Sequence, residues 1–256
     1  MSKSIKLTAS IVLYKENISE VISTIQCFLE LPITKKLFLI DNTKSSNYFG
    51  KLETKDIKYI ANQKNIGFGA GHNKIINEIK YLSDYHLILN PDVTFEQEDI
   101  IDLINQIEKD KDVIMIAPKV VFPDGKHQYS CRRYPSIKEL FFRRFNFLKK
   151  SYKKTVEIGE YKDVDISKPF YPEYITGCFH LYNTDAFIKM NGFDERYFLY
   201  MEDVDICRKI DSLNKKKLYY PKGEITHVLK QGSSKKTKLL FYHVSSAIKY
   251  FLKWGF

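Results

Sequence analysis

Residues 193–205 concentrate carboxylates among aromatic side chains. Five acidic residues lie within these thirteen positions, and Glu202, Asp203 and Asp205 stand where an apolar run gives way to a helical pattern. Aromatic neighbours can partly desolvate a carboxylate, and desolvation raises its pKa toward the range that suits a proton acceptor. Acids at this position also suit the N-terminus of a helix for electrostatic reasons alone. The segment is therefore a candidate general-base site, with helix capping as the alternative.

Two apolar runs further upstream end in aspartate. Residues 85–89 are followed by an Asn-Pro-Asp motif at 90–92, and residues 37–40 are followed by Asp41. In open α/β sheets, ligands bind outside the carboxyl ends of the strands, so the two segments together indicate one site. Oxygen ligands of this kind suit Mg²⁺ or Mn²⁺ carrying a diphosphate. A turn or a helix cap after a strand would explain either aspartate alone.

A glycine-rich segment and a single histidine are further candidates. The Gly-Phe-Gly-Ala-Gly run at 67–71 resembles the opening of a dinucleotide-binding turn, but it follows a later strand than such a turn would. Its glycines instead favour a close approach of backbone to a phosphate or a tight strand–helix turn. His227 follows the last predicted strand, and a neutral imidazole there could complete a metal shell that already holds Asp92. A lone histidine is also often a satisfied surface or core residue.

Composition narrows the partners and the compartment. The 256 residues carry a formal net charge of +10, which favours an anionic partner such as a nucleotide, a lipid phosphate, a membrane surface or a nucleic acid. The four cysteines are scattered without a Cys-x-x-Cys pair, which fits a reducing cytoplasm and indicates neither a zinc site nor a disulfide framework. No segment approaches the ~20 apolar residues of a membrane span, and the N-terminus lacks the apolar core of a secretory signal. We expect a soluble or peripheral protein.

Alternating strand and helix patterns predict the architecture. The predicted strands cover residues 7–13, 37–40, 57–60, 85–89, 113–117 (ended by Pro118) and 218–220, and the predicted helices cover 17–31, 67–80 and 96–110. Strands separated by single helices predict an α/β fold with a mainly parallel, doubly wound sheet. We expect a catalytic domain over 1–232 with a less regular, basic and aromatic insertion at 121–172. A basic, amphipathic and helical tail would follow over 233–256.

Two basic segments, 141–154 and 235–254, combine Arg and Lys with Phe, Tyr, Leu and, in the tail, Trp254. Such segments could bind RNA by cradling phosphates and stacking bases. They also suit an anionic membrane, with aromatic side chains at the interface and lysines over lipid phosphates. No nucleic-acid motif accompanies them, which favours the membrane or a lipid phosphate. A solvated basic face explains either segment alone.

Taken in order, these motifs resemble the family 2 glycosyltransferases, most closely the rhamnosyltransferase-like branch that builds bacterial surface polysaccharides. The matching segments are residues 9–14, 40–42, 65–73, 89–93, 175–177, 192–195, 198–205, 208 and 227. The resemblance implies a GT-A fold and transfer, with inversion, from a nucleotide-sugar, with rhamnose from dTDP-rhamnose as the best candidate. It implies Mg²⁺ or Mn²⁺ as cofactor and a glycan or a polyprenyl-diphosphate-linked glycan as acceptor.

The resemblance also implies residue roles. Asp203 matches the catalytic base, with Glu202 beside it. Asp92 lies in the metal motif, and His227 matches a position that helps to hold the metal or the diphosphate. Asp41 would contact the base or ribose side of the donor. The other residues implied on the donor side are Tyr14, Asn65, Gly67, Phe68, Asn73 and Asn90, where Asn90 replaces the more usual first Asp; the acceptor side has Thr176 and Gly177.

The sequence departs from the branch on the acceptor side. Tyr182 and Asn183 stand where the branch often carries a basic pair, so the acceptor stays open. Two alternatives to an enzyme also remain, namely a catalytically silent relative that binds a glycan or a partner transferase, and a basic RNA-binding module. The complete set of Asp41, Asp92 and Asp203 argues against the first, and the acidic site at the strand edge argues against the second. We expect an enzyme that binds no nucleic acid and acts from the cytoplasm at the inner face of the plasma membrane; a homodimer is possible.

Overall fold

An eight-stranded sheet forms the centre of the part of the chain that the computed structural model describes, namely residues 6–44, 48–138, 140, 149–229 and 237–255, without the side chains of 149–152. The strands are β1 Lys6–Leu13, β2 Thr34–Asp41, β3 Ile57–Ala61, β4 Tyr85–Leu89, β5 Val93–Phe95, β6 Val113–Val121, β7 Cys131–Arg132, β8 Tyr174–Ile175, β9 Phe179–Asn183 and β10 Lys216–His227. The order in the sheet is β3-β2-β1-β4-β9-β6-β10-β5, and β7 pairs separately with β8. Only β9 and β5 run against the other strands of the large sheet.

Helices cover both faces of this sheet. They are α1 Ile18–Glu30, α2 Phe68–Asn73, α3 Ile76–Ile79, α4 Gln97–Ile107, α5 Lys149–Gly159, α6 Thr184–Lys189, α7 Glu202–Ser212 and α8 Thr237–Trp254, with a 3₁₀ turn at Phe49–Leu52. The apolar faces of α1 and α4 pack on one side of the sheet, and residues of α3, α6, α7 and α8 pack on the other. Asn17, the first residue of the predicted helix, caps α1 by accepting a hydrogen bond from the Ser19 N–H. The expected mainly parallel sheet with flanking helices is confirmed.

Three predicted boundaries were wrong. The last strand, predicted over 218–220, is the longer β10, which continues past Pro221 and ends at His227. The strand expected to end at Pro118 continues to Val121, because the partner strand β10 changes register between Tyr220 and Glu224. This irregularity lies where Pro118, which has no N–H, would otherwise break the ladder. The single helix predicted over 67–80 is instead α2 and α3. The Asn73 side chain at the end of α2 makes two hydrogen bonds to the backbone of Phe193, which fixes the chain at the break.

The second half of the chain closes the sheet and adds a C-terminal helix. In the predicted insertion, the structure describes β7, which pairs with β8 just beyond the insertion, and α5, whereas the basic aromatic run at 141–148 lies outside the described residues. The expected helical tail is confirmed by α8, which packs Tyr250 and Phe251 into the core beside α7. The proposed boundary at 232 falls within the undescribed residues 230–236 and stays a prediction. None of the described helices combines the length and hydrophobicity that a bilayer span requires.

Candidate active site

Asp41 ends β2 at the edge of the sheet where the parallel strands finish. Its side chain is buried and accepts hydrogen bonds from the Thr43 N–H at 2.7 Å and the Tyr59 hydroxyl at 2.9 Å. Partial burial and the hydrogen bond to Asp41 raise the pKa of Tyr59 to about 12. The phenol therefore stays protonated and keeps donating to the carboxylate. Asp41 is thus a fixed acceptor at the position predicted for the nucleoside end of a donor.

An amide network fixes the loop beside Asp41. The Asn42 side chain donates to the Gly67 carbonyl at 3.1 Å and to Asn65 Oδ1 at 3.3 Å, and it accepts from the Asn62 amide at 2.8 Å. Asn65 Oδ1 also accepts from the Gly67 N–H at 2.9 Å. Asn42 is a site residue to which the sequence analysis gave no role, although it lies within the motif around Asp41. The network sets the start of α2.

Gly67 brings this loop into contact with the acidic segment, residues 193–205. Its φ of +95° lies in the left-handed region, and a Cβ atom there would stand 2.3 Å from the backbone oxygen of Phe198. The same oxygen accepts from the Phe68 N–H at 3.1 Å. The close approach seen at this glycine is thus to the backbone of the acidic segment.

Asp92 and His227 meet at the ends of β4 and β10. Asp92 Oδ1 lies 3.3 Å from His227 Nε2, and Asn90 Nδ2 lies 3.3 Å from the same nitrogen. On the other side of the ring, Gln128 Oε1 lies 2.7 Å from Nδ1; because an amide oxygen only accepts, Nδ1 carries a proton. Burial lowers the pKa of His227, but hydrogen bonds to Asp92 and Cys178 outweigh it and raise the pKa to about 10.

Asp92 and His227 together fit a divalent cation that has other ligands besides these two side chains. Gln128 holds the Nδ1 proton, so a metal would bind Nε2, the atom nearest Asp92, and would displace the second proton that the raised pKa keeps there. One carboxylate and one imidazole leave positions for water and diphosphate oxygens, which is how Mg²⁺ is usually held. The described residues contain no cluster of three or more His, Cys, Asp or Glu able to hold a metal.

Glu202 and Asp203 form an acid pair at the start of α7. The chain enters this helix through Tyr200 and Met201, both in the left-handed region with φ of 68° and 69°. Two consecutive non-glycine residues in that region mark a strained junction of the kind found at functional sites. Glu202 and Asp203 are therefore presented at a sharp turn with α7 behind them.

The two acids have different surroundings. Asp203 is half-buried, and its carboxylate accepts from the Gly177 N–H at 3.3 Å and the Val204 N–H at 2.9 Å. Burial raises the pKa of Asp203, and these backbone hydrogen bonds and the Arg132 charge partly offset it. Glu202 is buried, and its Oε2 has no hydrogen-bond partner among the described residues. Burial and then the charge of Asp203 raise its pKa well above the usual range.

Residues 176–178 connect the two halves of the site. The Asn90 N–H donates to the Cys178 carbonyl at 2.9 Å, beside the Asp92–His227 pair. The neighbouring Gly177 donates to Asp203, and the Phe68 ring lies 3.7 Å from the position that a Cβ on Gly177 would take. Thr176 is held by its N–H to the Ser130 carbonyl at 2.9 Å. One short segment therefore fixes Asp203 relative to the Asp92–His227 pair.

Other predicted residues have different surroundings. Tyr14 lies at the end of β1 and is 44% exposed, so its ring is open to a ligand. Asn73 uses both amide atoms on the backbone of Phe193, so it holds the acidic segment. Asp205 is fully buried and accepts from Lys253 and Trp254 at 2.7 Å each, which makes it an anchor for α8.

Three further residues complete the site without a predicted role: Gln128, Arg132 and Cys178. Gln128 comes from the loop after β6 and Arg132 from the two-residue strand β7, neither of which is long enough to carry a periodic signal. Arg132 forms an ion pair with Glu160 at 2.8 Å while its charge acts on Asp203. Cys178 contributes one of the hydrogen bonds that raise the pKa of His227.

Comparison with known proteins assigns the family. A family model for glycosyl transferase family 2 matches residues 11–189, more than half of the chain. The chain is 26% identical over 195 residues to the rhamnosyltransferase WbbL of Escherichia coli K12, which covers 72% of this chain and 70% of that protein. It is 24% identical over 182 residues to the N-acetylglucosaminyl-diphospho-decaprenol L-rhamnosyltransferase of Mycobacterium tuberculosis, over 67% of this chain and 59% of that enzyme.

The fold is also found among solved structures. A crystal structure of GalNAc-T7 with UDP, GalNAc and Mn²⁺ aligns with a TM-score of 0.65 at 14% identity, over 89% of this chain and 44% of that one. The chain thus spans less than two thirds of the mycobacterial relative and less than half of this structural neighbour. The GT-A architecture and the rhamnosyltransferase-like relatives expected from the sequence are confirmed. The chain belongs to glycosyl transferase family 2.

Proposed function

We propose that this glycosyltransferase moves a rhamnosyl unit from dTDP-rhamnose to a glycan or polyprenyl-diphosphate-linked acceptor, with inversion at the anomeric carbon. The observation that carries the proposal is the connection of the Asp92–His227 pair to Asp203 through residues 176–178. Such a connection fixes a leaving-group site relative to a base, which is what a direct displacement needs. The sugar is proposed from the rhamnosyltransferases to which the chain is similar.

On the donor side, Asp41 would accept from the nucleoside, and Tyr14 offers an exposed ring beside it. Asp92 and His227 would hold Mg²⁺ or Mn²⁺, which would stabilise the charge that develops on the departing diphosphate. The positive charge of the chain favours an anionic donor in general. The structural neighbour GalNAc-T7 was crystallised with UDP and Mn²⁺, which supports a divalent cation for this fold.

On the acceptor side, Asp203 would take the proton from the attacking hydroxyl. The new bond from that oxygen to the anomeric carbon forms as the bond to the diphosphate breaks, and the diphosphate leaves with the bonding electrons. A half-buried carboxylate with a raised pKa accepts a proton more readily than a fully solvated one. Gly177 and Val204 hold it in one orientation through their N–H groups. A polyprenyl-linked acceptor would bring the enzyme to the inner face of the plasma membrane.

A transfer assay with defined donors tests the proposal. The protein is incubated with dTDP-rhamnose, UDP-sugars or GDP-sugars, with Mg²⁺ or Mn²⁺, and with a short-chain lipid diphosphate bearing N-acetylglucosamine. We expect transfer from dTDP-rhamnose that Asp203→Asn abolishes. Turnover only with another nucleotide-sugar would refute the rhamnosyl assignment. Donor binding without turnover on any acceptor would instead favour the catalytically silent relative.

A further inference from the structure

The inward face of α8 is committed to the acidic segment. Ser246 Oγ donates to the Leu199 carbonyl at 2.8 Å, and Lys249 Nζ donates to the Arg196 carbonyl at 2.7 Å. Tyr250 is buried, and the Trp254 indole N–H donates to Asp205. The tail aromatics that could have anchored the chain at a membrane interface therefore include two that face the domain. Any external contact of α8 must use its other face.

The outward face of α8 carries a continuous apolar stripe. The exposed fractions are 69% for Phe241, 49% for Val244, 56% for Ile248 and 75% for Leu252. Their spacing of three, four and four residues places them in one row along the helix. At 1.5 Å per residue the row is about 16 Å long. No element in the described part of the chain covers these side chains, in a protein whose other large apolar side chains are mostly buried.

The free charges that α8 and the sequence before it contribute are positive. Lys249 and Lys253 point inward, to the Arg196 carbonyl and to Asp194 and Asp205, whereas Lys238 is exposed at the start of the helix. The sequence from 230 to 238 holds four lysines, and no acid follows it up to residue 256. A second copy of the chain on the same face would bring two of these lysine-rich segments together, which like charges oppose. An anionic lipid surface offers phosphates to the lysines and an apolar interior to the stripe. Charge complementarity therefore selects the bilayer.

We propose that the outward face of α8, formed by Phe241, Val244, Ile248 and Leu252, binds the surface of an anionic lipid bilayer. The helix lies in the interface with this row in the outer part of the lipid. Its inward face holds the segment that carries Glu202 and Asp203, so the acid pair would stay close to the lipid surface. This last consequence rests on the proposed function, since it matters for an acceptor linked to a lipid diphosphate; the binding itself does not.

Sedimentation with vesicles, in the absence of donor and acceptor, tests the proposal. The 256-residue protein is mixed with vesicles of phosphatidylcholine alone or with added phosphatidylglycerol, at low and at high salt. We expect binding that rises with the phosphatidylglycerol fraction and falls with salt. The double substitution Ile248→Ser and Leu252→Ser should weaken binding at least tenfold. Tyr81→Ser, which removes a side chain that is 79% exposed outside α8, serves as the matched control and should bind like the wild type.

The outcomes separate this proposal from its alternatives. The variants should melt like the wild type, because the substituted side chains are outside the core. Absence of binding to anionic vesicles at low salt, or unchanged binding of the double variant, would overturn the proposal. If the double variant instead converts a dimer to a monomer in light scattering while vesicle binding persists, the stripe is a contact between two copies. Failure of the transfer assay on a soluble acceptor would count against the proposed function and leave vesicle binding unaffected.

Discussion

Glu202 and Asp203 are adjacent acids whose surroundings predict different protonation states. Glu202 is 6% exposed, and its Oε2 has no hydrogen-bond partner among the described residues, so the proton is favoured on this side chain. Asp203 is half-buried and receives two backbone N–H groups, which favour its charged form. Glu202→Gln is therefore close to the native state of that residue, whereas Asp203→Asn removes the proposed proton acceptor.

The pH dependence of stability gives the size of the effect that the proton on Glu202 has on folding. An acid whose pKa is raised by folding contributes stability that is complete below its ordinary pKa, 4.5 for Glu202, and is lost as pH rises through the folded pKa. Over that window, one proton corresponds to about 1.4 kcal/mol per pH unit. For a chain of this length, that is about 3–5 °C of Tm per pH unit. Glu202→Gln has no proton to lose, so its Tm minus that of the wild type should grow with pH across the window.

The assay combines thermal unfolding from about pH 5 to about pH 8 with turnover at neutral pH. Asp203→Asn should lower the rate by about 10²–10⁴, the usual contribution of a general base, while donor affinity stays near wild type. Glu202→Gln should keep most of the activity. Parallel Tm curves for Glu202→Gln and the wild type would show that Glu202 is not held protonated. An inactive Glu202→Gln beside an active Asp203→Asn would reverse the assignment of the base.

Three further substitutions test the rest of the site. EDTA should remove activity, and Mn²⁺ or Mg²⁺ should restore it; full activity in excess chelator would refute a metal role. The Asp92→Asn variant should need at least tenfold more cation for half-maximal turnover. Gly67→Ala should lower the free energy of unfolding by more than the roughly 1–2 kcal/mol of a left-handed alanine, because its Cβ would lie 2.3 Å from a backbone oxygen. Gly125→Ala, with φ of +79° and nothing within 4 Å of its Cβ, is the matched control for unfolding in urea, and equal losses would contradict the argument. Trp254→Phe removes one hydrogen-bond donor to buried Asp205 and should lower the free energy of unfolding by about 1.5–3 kcal/mol. Its kcat should fall while the KM for the donor stays unchanged. A melting curve like that of the wild type would contradict the role of Asp205 as an anchor for α8.

Much of the sheet could be predicted because its strands are apolar runs that stop at polar residues. The runs before Asp41 and Asn90 are buried throughout, so their ends are visible in the sequence. Pro118 misleads because a proline normally stops a strand, whereas here a register change in β10 accommodates it. The antiparallel insertion of β9 between β4 and β6 is also invisible locally, since its direction depends on the path of the whole preceding segment.

The same distinction holds for the candidate site. Residues at strand ends, such as Asp41 and Asp92, follow from the chain pattern together with the general location of sites in α/β sheets. The roles of Asn42 and Gln128 do not, because each depends on a partner loop whose return to the site is a matter of tertiary structure. Asn73 shows the converse, since it lies in a site-like motif but uses its amide on the Phe193 backbone.

The tail shows why composition alone could not locate its contacts. A helix turns 100° per residue, so the positions of Tyr250 and Trp254 relative to Phe241 and Leu252 are fixed once the helix is known. Which of these faces points outward depends on the residues that α8 packs against. One of them is Asp205, a buried acid that lies beside the candidate base in the sequence. Asp205 lies on the same first turn of α7 as Asp203, and its Oδ1 binds both Lys253 and Trp254. The acids of residues 194–205 therefore fall into two groups. Glu202 and Asp203 lie at the candidate site, whereas Asp205 holds α8 against the domain, and only the contacts of each side chain distinguish them.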